Sequence, residues 1–121
     1  MKEFNIGKDF SLDPSGRFYT DGSGSGESFR EDYLKERIIS LGEGEKLLIV
    51  LDDGVESYGS SFLTEGFAGM VKYGYVKKQE FLNKLELKYL DDDFEFYKNK
   101  VIQYIEEAEY NSKEYVSTKK G

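Results

Sequence analysis

Five consecutive apolar residues, Leu47-Leu48-Ile49-Val50-Leu51, stand between Lys46 and Asp52, and this run constrains the fold more than any other feature of the chain. A strand with one face in water alternates apolar and polar side chains. A continuous run fits a strand covered on both faces, at the centre of a sheet. The expectation is a central strand over residues 46–51, with everything else arranged around it.

On the N-terminal side, Phe4, Ile6 and (after a slip at Gly7) Phe10 alternate with Glu3, Asn5 and Lys8, the period of a half-buried strand. Asp13-Pro14-Ser15-Gly16 reads as a turn, since Pro presets φ and Gly accepts the closing position. Arg17 to Thr20 would return as a second strand, giving an N-terminal β-hairpin. The DGSGSG loop, Asp21 to Gly26, then leads into a helix starting near Ser28. Ser28 with Glu31 makes a capping-box pattern, and Ser25 is a competing cap. Leu34, Ile38 and Leu41 share one face of this helix, with Phe29 and Tyr33 off it, and Gly42 and Gly44 end it.

After the central strand, Ser60 and Ser61 open a second helix with a buried stripe of Leu63, Phe67, Met70 and Val71. Gly66 and Gly69 within it imply close approach of a neighbour, and Gly74 ends it. Leu85, Leu87 and Tyr89 alternate with Glu86 and Lys88 as a further strand. Phe94, Tyr97, Val101, Ile105 and Ala108 form the stripe of a helix starting near Asp93, and the chain frays into a polar tail after Tyr110. The expected fold is α/β, with an N-terminal β-hairpin joined to a partly parallel sheet and about three flanking helices, connected by right-handed crossovers. Residues 1–110 form a single domain and 111–121 a polar C-terminal tail.

Length and composition narrow the function classes. A chain of 121 residues supports one core, and 10 Tyr with 9 Phe supply the apolar area for it. Seventeen basic against 24 acidic residues leave a net charge of -7, which repels a phosphate backbone and argues against a general nucleic-acid binder, so no direct nucleic-acid partner is expected. The same charge allows an acidic decoy that inhibits a nucleic-acid-binding protein. Absence of Cys and His removes disulfides, thiolate and imidazole metal sites, and Ser-His or Cys-His relays. The expectation is a non-catalytic protein with no cofactor and no metal. Met1 to Phe10 holds no long apolar run, so neither a signal peptide nor a membrane anchor is expected, and the location expected is cytoplasmic.

Three segments carry candidate chemistry. Ser57 to Phe67 places Ser60 and Ser61 where a helix begins. Unpaired N–H groups and the positive end of the dipole would there accept an added phosphate. From the local pattern, the plainer reading is that Ser60 or Ser61 is the N-cap. Tyr58, Phe62 and Phe96 lie off the buried stripes and are expected at an interface, so the candidate partner-binding set is Tyr58, Gly59, Ser60, Ser61, Phe62 and Glu65. The DGSGSG loop could bind a small anion or nucleotide through Gly22, Gly24 and Gly26, with Arg17 and Arg30 supplying charge. It lacks the ending of a P-loop and the spacing of a dinucleotide fingerprint, and a flexible connection is the plainer reading of the loop. Arg17 could instead pair with an acid near the Ser-Gly-Glu turn. Asp52-Asp53 and Asp91-Asp92-Asp93 offer oxygen ligands, but charge at a helix start explains the triple Asp equally well.

Gly16-Arg17-Phe18, Asp21-Gly22, Ser25-Gly26-Glu27, Phe29-Arg30-Glu31 and the Ser60-to-Leu63, Glu65, Phe67 series occur in a fixed order. In that order and spacing the chain resembles the prokaryotic STAS-like domain family over most of residues 6–74. More distantly, strand, loop, Ser-Ser and helix resemble the anti-sigma factor antagonists of the STAS superfamily. That resemblance implies a regulatory, protein-binding domain whose partner is a histidine-kinase-like ATPase or anti-sigma-type kinase. It also implies Ser61 as the phosphate acceptor, with Ser60 beside it. The chain departs from that motif at Gly59, where the family has Asp, and at Phe62, where it has Gly.

Overall fold

The computed structural model describes residues 2–119. Its centre is a sheet of three parallel strands in the order β1 (Lys2–Asn5), β2 (Leu47–Val50), β3 (Leu85–Lys88). Lys2 pairs with Leu47, and Leu47 with Leu85. The apolar run is the middle strand, as expected.

The N-terminal hairpin is not formed. β1 stops at Asn5, whose side-chain oxygen accepts from the Lys8 N–H at 3.0 Å while its own N–H donates to Asp9 Oδ2 at 2.8 Å. These two bonds turn Ile6–Phe10 into a wide helical turn. Arg17 and Phe18 donate their backbone N–H groups to the Asp21 carboxylate, both at 2.9 Å, so the segment wraps locally around Asp21 instead of pairing as a strand.

Helix α1 (residues 26–39) joins β1 to β2, and α2 (60–72) with α3 (Lys78–Lys84) joins β2 to β3. Helix α4 (Glu95–Glu107) follows β3. Strand order equals chain order, so right-handed crossovers put both connections on one face of the sheet. That face carries Phe4, Leu47, Ile49 and Leu51, all buried against the helices. The other face presents Leu48 and Val50, half-buried between exposed Glu3, Glu86 and Lys88. The expectation of cover on both faces is therefore corrected: the sheet is wound on one side only.

Ser25, not Ser28, caps α1, its Oγ accepting from the Ser28 N–H at 3.1 Å. The Lys35 N–H reaches back five residues to the Arg30 carbonyl, a π-type turn that shifts the helix faces. Phe29, expected off the stripe, is thereby fully buried together with Leu34 and Ile38. Its ring lies 5.4 Å from Phe62 and 5.2 Å from Phe67 of α2. The close approach expected at Gly66 is present: a Cβ there would sit 2.9 Å from the Phe29 ring. α3 went unrecognised in the sequence because its stripe is short, with Phe81 alone buried.

Residues 111–119 contain no helix or strand, but they do not fray. The Asn111 and Lys113 N–H groups donate to the carbonyls of Val71 (2.9 Å) and Lys72 (3.2 Å), laying the segment back along the end of α2. Among the described residues no helix is long and apolar enough to cross a membrane.

Candidate functional site

The start of α2 is built by Gly59, an extended residue with φ -81° and ψ 150° that serves as N-cap without a side chain. The first helical bond runs from the Leu63 N–H to the Gly59 carbonyl at 3.2 Å. Ser60 and Ser61 are thus the first two helical residues, one and two positions too late to cap. Ser60 is exposed and Ser61 half-buried. Arg17 Nη2 stands 3.5 Å from Ser61 Oγ, and Arg17 Nη1 stands 3.9 Å from Glu65 Oε1. A half-exposed hydroxyl beside a guanidinium and a helix N-terminus is an environment in which added negative charge is stabilised.

The aromatic anchors expected around these serines are not at the surface. Tyr58 is 6% exposed and Phe62 0%. The Tyr58 hydroxyl donates to the Leu51 carbonyl at 2.6 Å, and burial raises its pKa far above the ordinary value of 10.0, with the Asp52 charge adding to the effect. Phe62 stands where the resembling motif has Gly and fills the core between Phe29 and Phe10. Glu65 is buried too. Of the proposed partner-binding set, Gly59, Ser60 and Ser61 remain accessible. Phe96 is 60% exposed, as expected, and its ring meets Tyr97 edge-on at 5.4 Å; Tyr97 in turn meets Tyr58 at 5.5 Å. An exposed aromatic thus lies on the α4 flank of the same region.

Beneath the serines lies a buried ionic network. Arg30, 0% exposed, donates through Nη1 to Glu65 Oε2 at 2.7 Å and to the Glu65 carbonyl at 2.6 Å, and through Nε to Glu31 at 2.8 Å. Its guanidinium is flanked by the rings of Tyr73 (4.5 Å) and Tyr115 (4.9 Å). Among the described residues Nη2 has no hydrogen-bond partner; the two π faces are its neighbours. Burial opposes the charge on Arg30, but the bonds to Glu31 and Glu65 outweigh it and raise its pKa. Tyr73 and Tyr75 complete the network by donating to Glu65 and Glu31, each at 2.8 Å.

Glu27 anchors the C-terminal segment. Its carboxylate accepts from Tyr115 Oη (2.6 Å), Thr118 Oγ1 (2.6 Å) and the backbone N–H groups of Thr118 and Tyr19. Burial would raise its pKa, yet these donors together hold it below the ordinary 4.5. Neither network was anticipated from the sequence. The one legible signal was Glu65 standing inside an apolar helix face, where a carboxylate requires a buried partner.

The remaining candidates find other uses. Arg17 and Arg30 converge on Glu65, not on the DGSGSG loop, and Arg30 is inaccessible, so the five residues Arg17, Gly22, Gly24, Gly26 and Arg30 assemble no anion site. Gly26 is buried, its N–H donating to the Gly16 carbonyl at 3.0 Å. Arg17 pairs with Glu65 of α2 in place of an acid in the Ser-Gly-Glu turn. Asp52 accepts from the N–H groups of Leu90 and Asp91, while Asp53 accepts from Asn5 and Asp91 from the Asp93 N–H. Among the described residues no group of three or more acidic, His or Cys side chains is placed to hold a metal ion.

No family model, curated protein or solved structure matches the chain.

Proposed function

We propose that this chain is a non-catalytic, STAS-like regulatory domain that docks a protein partner through the start of α2 and is switched by phosphorylation of Ser61. The observation that carries the reading is the placement of Ser61: Gly59 caps the helix in its stead, and Arg17 Nη2 stands 3.5 Å from the Ser61 oxygen. A phosphoryl group on that oxygen would compete with Glu65 for Arg17. Glu65 would keep its bonds to Arg30 and Tyr73, so the core would stay intact while the neutral docking patch becomes anionic. A partner seated on Gly59, Ser60 and the exposed Phe96 ring would then face a charge that must be desolvated or repelled.

The order of a parallel strand, a loop and a serine-started helix supports the STAS-like reading. That resemblance suggests a cytoplasmic histidine-kinase-like ATPase or anti-sigma-type kinase as partner and phosphate donor. The test is to capture the partner with the wild-type chain, then to follow ATP-dependent phosphate incorporation. The reading requires incorporation into wild type and none into Ser61→Ala. Labelling of both chains to the same extent would refute it.

A further inference from the structure

Among the described residues the outer edge of β3 is unpaired. Lys88 accepts from the Leu51 N–H at 2.9 Å, and bonding direction alternates along a strand, so the N–H and C=O groups of Leu85 and Leu87 point away from β2. Beside this edge lies an apolar cavity of about 340 Å³ lined by Leu82, Leu85, Leu87, Val101, Ile102 and Ile105, with Glu86 and Lys98 at its rim. An open strand edge next to empty apolar space invites another strand.

The sequence of that edge is complementary to itself. In Leu85-Glu86-Leu87-Lys88-Tyr89, an antiparallel pairing about a two-fold axis at Leu87 sets Leu87 against Leu87 of a second copy. The same pairing sets Leu85 against Tyr89, and Glu86 against Lys88. Leu85, Leu87 and Tyr89 are then the hydrogen-bonded positions, the first two matching the groups left free in β3 and Tyr89 extending the strand by one residue. Glu86 faces Lys88 at the closer, non-hydrogen-bonded positions. The charges meet twice by symmetry, as an isologous interface requires. On the helix-bearing face, Tyr89 of the second copy is brought beside Leu85, where the cavity leaves room.

We infer that β3 is the dimerisation edge of this protein, joining two copies into one continuous sheet of six strands through antiparallel β3 pairing. The test is sedimentation of wild type, Glu86→Lys, Lys88→Glu and an equimolar mixture of the two variants. Both side chains are exposed, so both variants should fold like wild type, which circular dichroism and melting verify. Wild type should run at twice the chain mass and each variant alone at the monomer mass, since like charges would then face each other. The mixture should recover the doubled mass, because the two positive side chains of one variant then face the two negative side chains of the other. A monomeric wild type, dimeric single variants, or a mixture that stays monomeric would each overturn the inference.

Discussion

Arg30 Nη1 bonds the carboxylate of Glu65 at 2.7 Å and its backbone carbonyl at 2.6 Å, tying α1 to α2 through one guanidinium. Both side chains are buried, so removing the cation strands a carboxylate away from water. Arg30→Ala should therefore cost about 3–5 kcal/mol. Urea unfolding reads this directly; a loss within about 0.5 kcal/mol, typical of surface positions, would show that solvent reaches the pair.

The two helices also approach closely at Gly26. A Cβ there would lie 2.7 Å from the Phe62 carbonyl oxygen and 2.9 Å from the Gly66 nitrogen. Helix propensity favours Ala over Gly by about 1 kcal/mol, but backbone atoms cannot move aside as a side chain can. Gly26→Ala should thus lower the melting temperature, an overpacking cost of about 1–3 kcal/mol. An unchanged or higher melting temperature would place the helices further apart.

The C-terminal segment is held by charge-assisted bonds to Glu27. Tyr115→Phe removes one of them and should cost about 1.5–3 kcal/mol. A melting temperature equal to that of wild type would mean the segment is not docked.

Titration gives a second reading of the same contacts. The Glu27 pKa is depressed in the fold, so its contribution is fully present above the ordinary 4.5 and is lost as pH falls through the lower folded value. Tyr73 and Tyr115 behave oppositely: burial and hydrogen bonds to Glu65 and Glu27 push both up to about 12. Their contribution is complete below pH 10.0 and lost as pH rises through about 12. Wild type should therefore lose stability at both ends, and Tyr115→Phe should flatten the alkaline limb. Identical alkaline limbs would argue against the Tyr115–Glu27 bond.

The elements that could be read from sequence were those whose signal is local. The alternation of Leu85 to Lys88 and the stripes of α2 and α4 each state their environment within a few residues. The apolar run of β2 states its central place in the sheet but not that one face stays half-open. The hairpin expectation failed because the Asn5–Asp9 closure and the Asp21 carboxylate redirect the backbone through side-chain bonds that periodicity does not register. Phe62 is buried against the expectation because a helix wheel assumes regular turns, and the π-type turn over Thr64–Ala68 alters the faces presented. Tyr58 precedes the helix and is drawn inward by its hydroxyl bond to the Leu51 carbonyl. The contacts of Glu27 with Tyr115 and Thr118 span 88 and 91 residues in sequence, beyond any local pattern. In the site itself, the sequence marks Ser61 and Arg17 separately, but their proximity and the capping role of Gly59 arise only from the packing of the folded chain.

That capping role sharpens the central test. Since Gly59 caps α2, Ser61→Ala should change stability by no more than about 0.5 kcal/mol, and it should leave a neutral patch for the partner. Ser61→Asp should fold equally well at the helix start but carry charge where the partner docks. Calorimetric titration of the captured partner against wild type, Ser61→Ala and Ser61→Asp measures the difference. The account predicts equal affinity for the first two and at least about tenfold weaker binding for the third, about 1.4 kcal/mol. Equal affinities for all three would contradict it and move the docking surface away from the start of α2.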